Sequence, residues 1–245
     1  MKRALCIAAL GLLAAGCGGE NTGVVQTPEP TGPTPTTVAG TLPAQKVSLE
    51  LFFLAPDGKL VATSRTVAHT QTPGAATLHE LTDPAQDATT QVPDGLALTI
   101  DAGRAQVTGG SLSDAALAQI VYSLTTFPTV DSVNGKTRAD VEDFAPAILV
   151  EHPAPGEAVK SPMHVTGTAN TFEATFNYRL EDARGDELSK NFVTATSGSG
   201  TRGTFDFTVP FTVDSAQDGK LVVFELSAED GSVIHERVVP LRLIP

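Results

Sequence analysis

Ile148-Leu149-Val150-Glu151-His152-Pro153-Ala154-Pro155-Gly156-Glu157-Ala158-Val159, then Ser161-Pro162-Met163-His164-Val165-Thr166-Gly167-Thr168-Ala169, then Phe172-Glu173-Ala174 with the alternating Phe176, Tyr178 and Leu180, is the stretch that decides the fold. Pro153 and Pro155 forbid a helix, and Pro155-Gly156 is a turn dipeptide. Apolar side chains at every second position after it fit strands with one face buried. The same rhythm continues to the C-terminus. Candidate strands are Met163 to Ala169, Thr175 to Glu181, Leu188 to Thr194, Gly203 to Val213, Lys220 to Ala228 and Ser232 to Leu243. Turn signals separate them at Arg184-Gly185-Asp186, Ser197-Gly198-Ser199-Gly200, Asp218-Gly219 and Asp230-Gly231. About seven short strands at this spacing make a β-sandwich, and Pro240 marks the last run as an edge or a bulge. Asn170-Thr171 breaks the alternation, which implies a bend there. Phe172 and Ala174 are then expected on the buried face with Phe176 and Tyr178; the other reading of Phe172 is an exposed aromatic that grips a partner.

This stretch resembles the opening of the immunoglobulin-like domain found at the C-terminal end of bacterial spore-germination lipoproteins. The matching residues are Ile148, Pro153, Gly156, Val159, Ser161-Pro162, Val165, Gly167, Ala169 and Phe172-Glu173-Ala174. The resemblance implies a sandwich over 147–245. The Cys and Trp of antibody domains are missing, so it extends to the architecture only.

Upstream of Ile148 the pattern changes. Val47, Leu49, Leu51 and Phe53 alternate along a strand, Asp57-Gly58 turns it, and Leu60 to Val67 returns. Gly74 to Leu81 reads as a short helix. Leu96, Leu98 and Ile100 pair back through Ala102-Gly103 with Ala105 and Val107. Ser113 is a good N-cap, and Leu117, Ile120, Val121 and Leu124 lie on one face of a helix that Phe127-Pro128 stops. Val130 and Val133 lead to the turn Asn134-Gly135. Hairpins mixed with two helices give a small α+β domain, a mixed sheet with helices over one face, across 46–144. Thr137 to Pro146 is an acidic connector. Leu51-Phe52-Phe53, Gly58, Leu60-Val61, Arg65 and Val67 resemble the first hairpin of the N-terminal domain of GerM, a sporulation and germination lipoprotein. Val92-Pro93-Asp94-Gly95 matches that family's turn before its third strand. The run from Gln119 to Val130, with Gly135-Lys136, is the most specific match. The helix around Leu78 is poor in apolar residues for this family. Gly109-Gly110 replaces an acidic residue that often follows the fourth strand.

The first residues are a targeting segment. Met1-Lys2-Arg3 is basic, and Ala4 to Ala15 is apolar but too short to span a bilayer. Ala14-Ala15-Gly16-Cys17 resembles the bacterial lipoprotein cleavage box, with Leu13 four rather than three residues before the Cys. The resemblance implies a signal peptide over 1–16 and Cys17 as the acylated first residue of the mature protein, carrying palmitate-type chains. Several acyl chains give stable anchoring, at roughly 0.8 kcal/mol per buried methylene. From residue 17 to 45 the chain is a tether, nearly all Thr and Pro between Thr27 and Thr37. A segment of about 25 such residues reaches up to roughly 75 Å at about 3.1 Å per residue in polyproline II, either as a stalk that lifts the domains from the membrane or as a linker of no particular length requirement.

Composition bounds the function. The chain has 245 residues and a formal charge of −12, so its surface repels phosphates and nucleic acid is excluded as a partner. Cys6 and Cys17 are the only cysteines, so no disulfide staples the folded part. His79-Glu80 opens like a zinc-protease helix, but no second His follows at the required spacing. His152, His164 and His235 are candidates to converge on the sandwich, each with an ordinary strand position as the simpler reading. Asn134-Gly135-Lys136-Thr137 has the tail of a phosphate loop, but Val130 stands where its leading Gly belongs. Ser197 to Gly200 is not a nucleophile elbow. Glu181-Asp182 and Glu229-Asp230 sit beside turns, and Arg184-Gly185-Asp186 reads as a polar turn. The sequence therefore offers no catalytic residues, no metal ligands and no cofactor motif.

The expectation is a non-enzymatic lipoprotein on the extracytoplasmic face of the cell membrane, an interaction module of an envelope complex. The resemblances add sporulation or germination if the source forms spores, and oligomerisation through the GerM-type domain. The alternative is a ligand- or cell-wall-glycan-binding lipoprotein. The sandwich is expected to fold alone from about Ala147.

Overall fold

The computed structural model describes residues 45–84 and 87–245. The leader, Cys17 and nearly all of the Thr/Pro-rich stretch lie outside the described residues. No described helix is long and apolar enough to cross a membrane.

The first hairpin pairs β1 (Lys46–Leu54) with β2 (Leu60–Ala68), antiparallel from Lys46↔Ala68 to Leu54↔Leu60. Gly58 supplies the positive φ of the turn, 76°. Helix α1 (Pro73–Glu80) follows, with Pro at its first position, where the missing N–H costs nothing. Strands β3 (Ala97–Asp101) and β4 (Arg104–Thr108) form the second hairpin through Ala102 and Gly103, both left-handed at φ 46° and 79°. Helix α2 (Asp114–Leu124) starts where the Ala116 N–H donates to Ser113 Oγ at 3.1 Å, as the N-cap reading requires. Strand β5 (Ser132–Val133) adds parallel to β4, giving a mixed three-stranded sheet. A 3-10 helix, Arg138–Phe144, replaces the expected connector, opened by a capping box between Thr137 and Asp140.

Helix α2 is buried on more than the one face expected of it, because its polar residues have work inside the fold. Gln119 and Ser123 are fully buried. The Phe52 N–H donates to Ser123 Oγ at 2.9 Å, and Gln119 Nε2 donates to the Phe52 carbonyl at 3.2 Å. Farther along the same edge, Leu54 and Thr89 exchange backbone hydrogen bonds of 2.9 and 2.8 Å. These bonds occupy an edge of β1 that β2 does not cover, leaving fewer open strand groups to recruit another chain.

The second domain is a sandwich of two sheets. One has the order β10 (Glu187–Thr194), β9 (Thr175–Asp182), β12 (Gln217–Leu226), β13 (Val233–Ile244), β7 (Ala158–Lys160). The other has the order β11 (Gly203–Val209), β8 (Met163–Ala169), β6 (Ile148–His152). Phe176, Tyr178, Phe205 and Phe207 stack in the core with ring centroids 4.9–6.4 Å apart. Strand β11 ends at Val209 rather than Val213, since Pro210 has no N–H for the ladder, yet Phe211 and Val213 remain buried. Pro240 lies opposite Lys220, and its carbonyl accepts from Gly156 N–H at 2.7 Å on the side where β7 begins only at Arg242. That side is a local edge, as the proline implied.

Strand β6 serves both domains. Ile148 and Val150 belong to the sandwich core, whereas Leu149, 2% exposed, packs with Phe52, Ala145 and the rest of the α+β core. The unbroken apolar run Ile148-Leu149-Val150 is thus two alternating faces, each with its own core. Leu149→Ala in the intact protein is expected to cost about 2 kcal/mol. In a fragment beginning at Ala147 the same change should cost almost nothing, because the core that buries Leu149 is absent. Equal costs in urea melts of the two forms would contradict the shared-strand account.

Candidate functional site

A group of titratable side chains lies where β1, the end of α2, the 3-10 helix and β6 meet. A cleft of about 550 Å³ there is lined by Glu50, Thr125, Thr126, Val130, Asp131, Arg138 and Glu151. Arg138 is its hub. Its Nη1 contacts Glu151 Oε1 at 2.8 Å, its Nε donates to Thr125 Oγ1 at 2.8 Å, and its Nη2 donates to the Tyr122 carbonyl at 3.0 Å. The guanidinium carbon lies 4.7 Å from the centre of the Tyr122 ring and 5.5 Å from that of Phe52. Glu50 Oε1 is buried with no hydrogen-bond partner among the described residues. Burial first, then the neighbouring Glu151, pushes the Glu50 carboxyl up to about 7, and Arg138 only partly offsets them. A buried carboxyl of raised proton affinity beside a second carboxylate in a cleft is a pattern seen in acid–base catalysis. Here Arg138 is fully engaged with Glu151, a threonine and a helix-end carbonyl, the arrangement of a strut.

Other ties cross the same junction. Arg202 Nη2 donates to the Pro146 carbonyl at 2.8 Å, and its Nε contacts Glu142 Oε1 at 3.2 Å. Asn170 Nδ2 donates to the same Glu142 oxygen at 2.9 Å, and Arg237 pairs with Asp57 at 2.6 Å. The sequence marked the boundary, but neither Arg138 nor Glu50 was among its candidates. The one available signal was Glu50, the lone acid of β1, set between Leu49 and Leu51.

His152 and His164 come together, ring centroids 6.5 Å apart, but each faces its own carboxylate, Glu157 at 3.4 Å and Asp206 at 2.6 Å. His235 stands apart from them, 3.9 Å from Glu225. Among the described residues no group of three or more His, Cys, Asp or Glu is placed to hold a metal. The Asn134 side chain pairs both backbone groups of Val107, at 2.8 and 3.1 Å, so the phosphate-loop tail is a strand-like clasp. Asp182 Oδ1 accepts the N–H groups of Arg184 and Asp186, which fixes the Arg184-Gly185-Asp186 turn. The Asp186 N–H, above all, holds the Asp182 carboxyl below its ordinary range. Glu181 pairs with Arg179 on its own strand, β9, and with Lys220 on the neighbouring β12.

Phe172 requires a correction: it is 56% exposed, not part of the core. The bend at Asn170-Thr171 exists, but it runs into a 3-10 turn, Phe172–Ala174, in which Glu173 and Ala174 are both left-handed, at φ 53° and 58°. Two left-handed residues reset the phase of the chain. Ala174 packs against the core and Phe172 points out.

Comparison with known proteins gives two family matches. Residues 50–134 match the family described as sporulation and spore germination, and residues 147–232 match the immunoglobulin-like domain of bacterial spore germination. The second match stops just before β13, which completes the sheet between β12 and β7. No curated protein matches the chain in sequence. Among solved structures, the tandem GerMN domains of the sporulation protein GerM from Bacillus subtilis align at 13% identity and a TM-score of 0.33. That alignment covers 70% of this chain and 64% of the other. CopC from Methylosinus trichosporium OB3b aligns at 15% identity and 0.25, over 40% of this chain and 94% of its own. WR4, a C. elegans MSP family member, aligns at 12% and 0.24, over 40% and 97%. Scores of this size carry no further argument. The two family matches do: residues 50–134 are a sporulation and spore germination domain, and residues 147–232 are an immunoglobulin-like domain of bacterial spore germination.

Proposed function

We propose that this protein is a non-catalytic, lipid-anchored module of a cell-envelope complex, acting in sporulation or germination by binding other proteins. One observation carries the reading: apart from Glu50, the charged side chains that line the domain junction are engaged with one another across it. Arg138, Glu151, Arg202 and Glu142 tie the α+β domain to the sandwich, so the pair presents one fixed surface. Rigidity of that kind suits a binding scaffold, since less conformational freedom is lost on association. The two family descriptions supply the link to sporulation and germination. The basic start, the short apolar run and Gly16-Cys17 supply the anchor and the extracytoplasmic location.

Cys17→Ser tests the anchor. The wild-type protein should sediment with membranes, and the variant should appear as soluble protein or uncleaved precursor. Membrane recovery of the variant at the wild-type level would end the lipoprotein reading. In gentle detergent the wild type should run in a species larger than a monomer; a monomer at every concentration would end the complex reading.

A further inference from the structure

Four of the most exposed large apolar side chains gather at one end of the five-stranded sheet: Phe172 at 56%, Phe192 at 65%, Leu226 at 46% and Val233 at 48%. The register places three of them together on the outer face. Phe192 lies opposite Asn177, Asn177 lies opposite Phe224, and Leu226, two residues beyond Phe224, lies opposite Val233. Directly opposed residues share a face, and so do residues two apart on a strand. The inward neighbours Leu221 and Val223 are core residues, which confirms the phase.

Phe172 is held at this end by a dedicated support. Its N–H donates to Glu225 Oε1 at 2.8 Å, and Glu225 is 6% exposed. The Glu173 N–H donates to Ser199 Oγ at 3.0 Å, and the Ser199 N–H donates to the Thr171 carbonyl at 2.9 Å. The Ala195 N–H donates to the Ala174 carbonyl at 2.8 Å. Gly198 fits so closely that a Cβ there would sit 2.4 Å from the Thr171 carbonyl oxygen. A turn with two consecutive left-handed non-glycine residues, supported by a buried carboxylate, presents an aromatic ring to solvent. Strained, over-determined backbone of this kind marks sites where position matters. An exposed aromatic on a rigid support is the usual anchor of a protein interface.

The charges around the patch indicate its partner. Glu173, Glu229 and Asp230 are exposed and in no ion pair among the described residues. The basic side chains flanking the row are already matched, Arg179 by Glu181 and Glu236, and Lys190 by Glu187. An apolar patch with an acidic rim repels a second copy of itself and an anionic bilayer alike, and it complements an apolar pocket bordered by Lys and Arg.

We propose that Phe172, Phe192, Leu226 and Val233 form a docking surface for another envelope protein that offers a basic-rimmed apolar pocket. This deepens the interaction reading above and rests on it.

The test uses the full-length anchored protein with a photo-crosslinking residue at Phe192. It also uses Phe172→Ala and the double variant Glu229→Lys/Asp230→Lys. The expected result is one crosslinked protein in the wild-type envelope, reduced about tenfold or more by each change and by raising salt from 0.05 to 0.5 M. The melting temperature of both variants should stay at the wild-type value. A crosslink that persists at the wild-type level in both variants would overturn the surface assignment while leaving the interaction reading intact. A crosslink to a second copy, or binding of the purified protein to phosphatidylglycerol vesicles that Phe172→Ala abolishes, would overturn the choice of partner. A marked fall in the melting temperature of Phe172→Ala would return the ring to a structural role and overturn the proposal.

Discussion

Arg138→Ala is expected to destabilise the protein by about 2–3 kcal/mol, less than the cost of breaking a fully buried ion pair because this one is partly buried. The residue is only 27% exposed and Glu151 only 18%. Without the guanidinium, Glu151 faces Glu50 across a cleft with no cation between them, and the Tyr122 carbonyl at the end of α2 loses its donor. The stacking contacts on Tyr122 and Phe52 go as well. Arg138→Lys should recover little, because one ammonium cannot reach a carboxylate, a hydroxyl and a carbonyl held in three directions. The double change Arg138→Met with Glu151→Gln should recover more than either single change, since it removes both charges together. Chemical denaturation of these variants, with Arg138→Met and Glu151→Gln measured singly beside the double, decides this. An Arg138→Ala protein within about 1 kcal/mol of wild type would mean that the junction is held by other contacts, with Arg202 to Pro146 and Glu142 foremost.

Where each local segment carried its own instruction, the sequence was readable. Asp57-Gly58 and Ala102-Gly103 became the turns they spell, Ser113 capped its helix, and the alternation of Phe176, Tyr178 and Leu180 placed three side chains in the sandwich core. The misses share one physical cause: a feature whose meaning is set by a distant partner. Gln119 and Ser123 look like the solvent side of an amphipathic helix until the edge of β1 arrives to use them. Leu149 looks like a break in the alternation of one strand until a second core claims it. Arg138 sits in a polar connector, and nothing nearby in sequence shows that Glu151 and two aromatic rings will surround it. Phe172 failed for a local reason instead. Left-handed Glu173 and Ala174 are rare enough that spacing arguments assume they do not occur.

Glu50→Gln is expected to change the response of stability to pH, with a sign that follows from the raised affinity of Glu50 for its proton. The carboxyl moves from 4.5 to about 7 on folding, first through burial and then through Glu151. Below about pH 4.5 it is protonated in both states and has no effect on stability. Between 4.5 and about 7 the unfolded chain releases the proton while the folded chain keeps it, so stability falls as pH rises. Above about 7 the full penalty is present, at most about 3 kcal/mol for a shift of this size at roughly 1.4 kcal/mol per unit. Glutamine keeps the shape and cannot ionise. The variant should therefore match wild type near pH 4 and exceed its stability by up to about 3 kcal/mol at pH 8. The difference between the two proteins is the quantity to follow, because other carboxyls act in the opposite sense. Asp57, Asp140, Glu181, Asp182 and Asp230 are all held below their ordinary range, mainly by hydrogen bonds that outweigh any burial, and their contributions are lost as pH falls. Subtracting the curves cancels them and leaves Glu50. Arg138→Met should push the Glu50 transition to higher pH, since Arg138 is the cation that lowers it. Urea melts of wild type and Glu50→Gln at pH 4, 6 and 8 measure the effect. Parallel stability curves across that range would show that the Glu50 carboxylate is well solvated and that the cleft places no strain on its charge.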